Sequence, residues 1–204
     1  LKDLVFPSSI KSNGYSAFRD CTSLTHVTIP SGLDYLDSYI FEGCTGLTSV
    51  VANTLSQSIF VRCTNLKSVE LKDGITSIPQ GAFNGCASLT GIDLPNSLTS
   101  LAWSSFSGCS SLERITIPAN VSELGEHVFS NCTSLVEVTS EAVAPPTAAT
   151  NTFMGIPDAA LYVPEGSEDA YRNATGWDVF KTVNGKDLDN EYSLLNYKKL
   201  DDGV

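Results

Sequence analysis

The chain has 204 residues, 42% hydrophobic and 17% charged, with a formal net charge of -11, the balance of a globular chain able to bury a core. Residues 1–140 carry 12 acidic and 7 basic side chains, 141–183 carry 6 and 2, and 184–204 carry 5 and 3. With no basic segment to meet phosphate, this argues against DNA, RNA and anionic lipid as partners; no apolar run nears the roughly 18 residues of a membrane-spanning helix, and Leu1-Lys2-Asp3-Leu4 is not a signal-peptide start.

In chain order, one eight-residue phrase recurs six times, from Ala17, Ile40, Ile59, Ala82, Ser105 and Val128, each with Phe, Cys and Leu three apart. Cys21, Cys44, Cys63, Cys86, Cys109 and Cys132 are separated by 23, 19, 23, 23 and 23 residues, a period that marks a solenoid. Leu1 falls on the first repeat position, as though the chain continued upstream. Within Leu112 to Leu135, the alternation of Ile115 and Ile117 predicts a short strand with one buried face, and Pro118 removes the next backbone donor and turns the chain out of the ladder. Val121 and Leu124 begin a second extended piece. Phe129, Cys132 and Leu135 fit about one helical turn, 3₁₀ or α, because residues three apart share a face.

One such unit has too few apolar residues for a core, but stacking places Leu on Leu, Ile on Ile, Phe on Phe and Cys on Cys. Six coils about 4.8 Å apart make a stack of roughly 30 Å. Asn13 stands where later units have Leu36, Leu55, Ile78, Leu101 and Leu124, so the first coil is imperfect. The unit 47–65 lacks four residues and the Pro, which predicts an indentation or kink as the only irregular place on a regular wall.

Past the repeats, Pro145-Pro146 ends the stacking, Leu161 to Val163 reads as a last strand, and Ser167 as the N-cap of a short helix from Glu168 to Asn173. Trp177 and Phe180 then cover the open end of the last coil. The expected organisation is a solenoid over 1–140, its cap over 141–183, and a polar tail or linker over 184–204.

The pattern Leu-x-x-Val/Ile-x-Ile-Pro followed by Phe-x-x-Cys-x-x-Leu resembles the BspA-like leucine-rich repeats, clearest in 24–46, 66–88, 89–111 and 112–134. The resemblance implies an α/β solenoid: a right-handed stack of short parallel strands with one helical turn per 23-residue coil, closed by a C-terminal cap. It also implies a surface protein of anaerobic bacteria or some protists, secreted or displayed, adhering to matrix proteins or other cells.

Reactive constellations are scarce. No two cysteines are closer than 19 residues, whereas zinc sites want pairs such as Cys-x₂-Cys. Stacked cysteines lie near enough for disulfides, but their side chains run parallel, so they read as reduced, buried column residues. His26 and His127 occupy different columns, and no Gly-x-Ser-x-Gly elbow appears. Asp187-Leu-Asp189-Asn-Glu191 lacks the Gly and Glu of a calcium loop and reads as an acidic linker. Asn120, Asn131 and Asn173 head glycosylation sequons, a motif short enough to arise by chance and moot if the chain is bacterial.

No cofactor, metal or catalytic residue is therefore expected. The expected function is a non-catalytic binding or adhesion module whose partner is a protein or glycan at a cell surface. The alternatives are a stalk spacing another domain from the cell, and a glycosidase using carboxylates such as Glu70 and Asp93. Outward-pointing strand residues form a concave ladder, small and polar and without Trp or Tyr anchors. Its one charged stretch is Glu70, Asp93, Arg114 and Glu137, with His26 on the same face nearer the N-terminal end, and these five are the candidate ligand-binding residues.

Overall fold

The structure, a computed structural model, describes residues 2–6, 14–31, 33 and 36–187; the expectation for Asn13 falls outside them. In chain order the elements are β1 (Asp3–Val5), β2 (His26–Ile29), β3 (Ser49–Ala52), β4 (Ser68–Leu71), β5 (Ser77–Ile78), β6 (Ser100–Leu101), β7 (Arg114–Ile117), β8 (Glu123–Leu124), β9 (Glu137–Ser140), β10 (Ala160–Tyr162), α1 (Glu168–Arg172), β11 (Thr182–Val183) and β12 (Lys186–Asp187).

Strands from successive coils pair in parallel and in register, so that Leu4, Val27, Val50 and Val69 stand side by side, as do Ile115, Val138 and Leu161. The alternation in His-Val-Thr-Ile and Arg-Ile-Thr-Ile puts every second side chain inside. A second ladder of β5, β6 and β8 runs along the flank. β10 and β11 continue the sheet of β7 and β9 past the repeats, and β12 closes it by pairing antiparallel with β11, beyond Val183.

The interior consists of the expected columns. Leu24, Leu47, Leu66, Leu89, Leu112 and Leu135 are fully buried. Phe18, Phe41, Phe60, Phe83, Phe106 and Phe129 stack with centroids 5.3–5.8 Å apart and planes within 17° of parallel. Those separations exceed the rise per coil, so the rings are laterally offset, the arrangement their quadrupoles favour.

The expected helical turn is not a helix. In each coil the backbone turns left-handed at two places four residues apart: Ser16, Tyr39, Ser58, Gly81, Ser104 and His127 form one column, and Asp20, Gly43, Arg62, Gly85, Gly108, Asn131 and Gly155 the other, with φ between +53° and +77°. An α-ladder cannot pass these residues. Instead, single i→i+3 bonds form, such as Cys86 N–H to Phe83 C=O and Leu89 N–H to Cys86 C=O, both 3.1 Å. The reversals also turn other N–H groups along the stack, where Phe83 and Gly85 donate to Ser105 and Ser107 of the next coil at 2.8 Å. Thus the turn side is hydrogen-bonded between coils like the strand side.

The cap extends the solenoid by a degenerate coil. Phe153 stacks on Phe129 at 5.4 Å and is covered in turn by Trp177 and Phe180, both buried. The Trp177 indole donates to Pro146 C=O at 2.8 Å. Tyr171 on α1 donates its hydroxyl to Ala142 C=O and meets Ser140 Oγ, each at 2.7 Å, so the helix is pinned to the end of β9. Ser167 precedes α1 as expected, but its hydroxyl makes no capping bond; Glu168 Oε2 instead accepts from Gly166 N–H at 2.8 Å. No helix among the described residues is long and apolar enough to cross a membrane.

Candidate functional site

The outward residues of the strands form two rows: Asp3, His26, Ser49 and Ser68 beside Val5, Thr28, Val51 and Glu70, and after an interruption Arg114, Glu137 and Ala160 beside Thr116, Thr139 and Tyr162. Tyr162, on the cap strand one step past the ladder expected to lack aromatic anchors, is 41% exposed and adds an aromatic residue to this face. Its signal was available: it immediately follows the buried Leu161 of the expected last strand.

The interruption corrects the expectation of a single irregular place. Residues 91–94 belong to no ladder, and the sheet ends at β4 and resumes at β7. Two features of this coil disfavour a strand. Gly91 stands where neighbouring coils have Ser68 and Arg114, and glycine gives up more entropy and packs no side chain. Asp93 follows Glu70 in the outward row, a like-charge neighbour across the ladder. Ile92 and Leu94 remain only half-buried, whereas Ile115 and Ile117 are inside. A cleft results, lined by Gly91, Asp93 and Leu94 on one side and Arg114, Ile115 and Thr116 on the other.

Of the five candidate residues, Asp93 and Arg114 line this cleft, Glu70 stands on β4 where the ladder stops, and Glu137 lies on β9 with β7 between it and the gap. Arg114 pairs with Glu137 at 3.5 Å, and Glu70 pairs with Lys72 on its own coil. His26 lies elsewhere: it is on β2, with β3 between it and Glu70, and its Nδ1 is 3.0 Å from Asp3 Oδ1 and 2.9 Å from Thr25 Oγ1. A second, polar cleft marks the shortened coil, between Asn53, Thr54 and Leu55 and the next coil's Gly74, Thr76 and Pro79, where the indentation was expected. β5 has no partner strand on that side, and Pro79, which lacks an N–H, stands where Ala102 and Gly125 donate to the preceding coil at 2.9 and 2.8 Å.

All six cysteines are free; five are buried, but Cys21 is half-buried in the first coil. Burial pushes the Cys44 thiol up to about 11 and Cys132 to about 12, and raises Cys63, Cys86 and Cys109 as well. The protonated thiols have a structural task that spacing did not reveal. Cys44, Cys63, Cys86, Cys109 and Cys132 each donate to the Phe carbonyl of the preceding coil at 3.0–3.3 Å. A buried thiol held protonated is neither nucleophile nor metal ligand. Among the described residues no three His, Cys, Asp or Glu side chains gather as a metal site.

Parallel strands, a Leu-x-x-apolar phrase opening each coil and a closed cap define a leucine-rich repeat solenoid. The family model described as "BspA type Leucine rich repeat region" matches residues 1–59 and 53–145 in six copies, and the chain belongs to that family. No curated protein sequence matches it significantly. Among solved structures it is similar to a leucine rich cell surface protein from Faecalibacterium prausnitzii A2-165 (20% identity, TM-score 0.52, covering 85% of this chain and 60% of that one). It is also similar to the pneumococcal vaccine antigen PcpA (22%, TM-score 0.55, 92% and 61%) and to the Leucine Rich Repeat protein of T. pallidum (25%, TM-score 0.50, 90% and 69%). The chain thus spans about three fifths of the first of these relatives' length.

Proposed function

We propose that this protein is a non-catalytic binding module that engages an extended polypeptide of a partner protein at a cell surface, through the cleft at residues 91–94. The observation that carries the reading is the interrupted ladder. Elsewhere the strand face is a closed, hydrogen-bonded wall, whereas here the edges of β4 and β7 face a gap flanked by Asp93 and Arg114. An extended chain satisfies such edges with its own backbone, and charged rims set its register. The family membership supports protein recognition, and the cell-surface description of the F. prausnitzii relative supports the location. The site is small and polar, so one copy binds weakly and with marked salt dependence.

The test replaces Glu70, Asp93 and Arg114 together by Ser and measures binding to a panel of immobilised extracellular-matrix proteins at low and high salt. Loss of binding with the melting temperature unchanged supports the cleft. Undiminished binding removes it. No binding by either protein favours the stalk reading, which the continuous phenylalanine stack from Phe18 to Phe153 also suits as a stiff spacer.

A further inference from the structure

The flank bearing the left-handed residues displays a row that the strand face does not predict. Backbone bonds between coils, Tyr39 N–H to Gln57 C=O, Ser58 to Gln80, Gly81 to Trp103 and Ser104 to Glu126, at 2.8–3.2 Å, set Gln57, Gln80, Trp103 and Glu126 one above another. All four side chains are exposed. The neighbouring column adds Tyr39 at one end and His127 at the other, and Tyr15 lies against Tyr39 with ring centroids 5.6 Å apart. Aromatic rings therefore flank two uncharged amides, with the Glu126 carboxylate following Trp103 in the row, beside His127. From Tyr39 to Trp103 is three coil steps, about 14 Å at the rise per coil.

We propose that the row Tyr15, Tyr39, Gln57, Gln80, Trp103 and His127 binds an uncharged polysaccharide, laid along the stack with pyranose faces on the rings and hydroxyls on the glutamine amides. The chemistry selects this ligand. An aromatic face matches the apolar C–H face of a sugar ring, and an amide offers both a donor and an acceptor to hydroxyls. The step of a linear pyranose chain is comparable to the rise per coil. No Lys or Arg occupies either column, and the molecule carries a net charge of -11, so an acidic polymer meets repulsion and nothing to offset it. A stable interface with a folded protein buries on the order of 1,000 Å², which a row one residue across does not supply.

Tyr39 and His127 hold φ of +59° and +58° in a column that turns left-handed in every coil, so the fold fixes where both rings leave the backbone. The His127 ring is fixed on both sides, Nδ1 at 3.0 Å from Ser130 Oγ and Nε2 at 3.0 Å from Asn151 Nδ2, which donates to it. It stands at 87° to the Trp103 indole, 6.5 Å away, and braces that ring before any ligand arrives.

Of the two tryptophans, Trp177 is buried and Trp103 is 48% exposed, so intrinsic fluorescence reports on the row. Cellohexaose, laminarihexaose, mannohexaose and maltohexaose are titrated into the intact protein, with hyaluronan and heparin as acidic controls. A shift in emission with at least one neutral hexasaccharide, unchanged between 0.05 and 1 M NaCl, is expected. Because Trp103→Ala removes the reporter, binding by that variant is read by calorimetry. It weakens at least tenfold with an unchanged melting temperature, while Trp103→Tyr stays within threefold of the parent. The Ser variant of Glu70, Asp93 and Arg114 keeps the shift, so this test and that of the cleft fail separately. The proposal is overturned if no neutral hexasaccharide shifts the emission, if only the acidic polymers do, if Trp103→Ala binds as tightly as the parent, or if Trp103→Tyr folds normally and does not bind.

Discussion

Glu42 shows how one residue settles a local conflict in a repeat. It sits on the turn side, 7% exposed, with Arg19 of the preceding coil 3.2 Å from one carboxylate oxygen and Arg62 of the shortened coil 2.5 Å from the other. Two guanidinium groups thus meet through a carboxylate where the coil spacing drops from 23 to 19 residues. Removing the charge leaves the cations facing each other. Both arginines are about half exposed, which screens the effect, so Glu42→Gln is expected to cost about 1 kcal/mol. Urea unfolding at 0.05 and 1 M NaCl checks this: the gap between parent and variant narrows at high salt. A gap independent of salt would assign Glu42 to packing instead. Nothing in the repeat phrase marks this carboxylate, because the residues it joins lie 23 and 20 positions away and only folding reveals the match.

Among the elements, the coil containing residues 91–94 separates what was legible from what was not. Periodicity gave the buried columns, because a core demands the same residue at the same place in every coil. It also placed a strand in every coil, since Ile92 and Leu94 alternate as Ile115 and Ile117 do. The break depends on cross-strand terms, a missing side chain at Gly91 and the sequence of Glu70 and Asp93 along one row, which a period does not weigh. The left-handed column was hidden for a similar reason: Ser, Tyr, Gly and His share no side-chain property, only a backbone conformation. Phe153 was readable, since Phe153 and Gly155 follow Phe129 and Asn131 by 24 residues, one more than the period.

The same coil offers a direct test. A side chain added at Gly91 meets nothing within 4 Å. Gly91→Thr with Asp93→Thr is therefore expected to complete the ladder, raising stability by about 1 kcal/mol. Hydrogen exchange at residues 91–94 should slow to the rate of β7. Unchanged exchange in a stable variant would show that something other than these two residues holds the segment out.

For the whole molecule, the thiol column makes the stack sensitive to alkali. Folding raises the affinity of the five inner thiols for their protons: each is desolvated among Leu and Phe, and each donates to a carbonyl of the coil before it. In the unfolded chain the same thiols ionise near pH 9. Below that pH both states hold the proton, and the contribution is fully present. Above it the unfolded state loses protons that the folded state keeps, so stability falls with rising pH until the folded thiols ionise too, near 11 for Cys44 and 12 for Cys132. Each thiol contributes a slope of about 1.4 kcal/mol per pH unit once the unfolded group is fully ionised. The five together make a steep loss between pH 9 and 11, and the solenoid should unfold in that window although it holds no disulfide to break. Urea unfolding at pH 8, 9, 9.5 and 10 measures the slope. Cys109→Val supplies the control: it loses the sulfur's hydrogen bond to Phe83 and is less stable at pH 8, yet its stability falls less steeply above pH 9 because one titrating group is gone. A variant with the parent's slope would mean that other groups, not the column of thiols, set the alkaline limit.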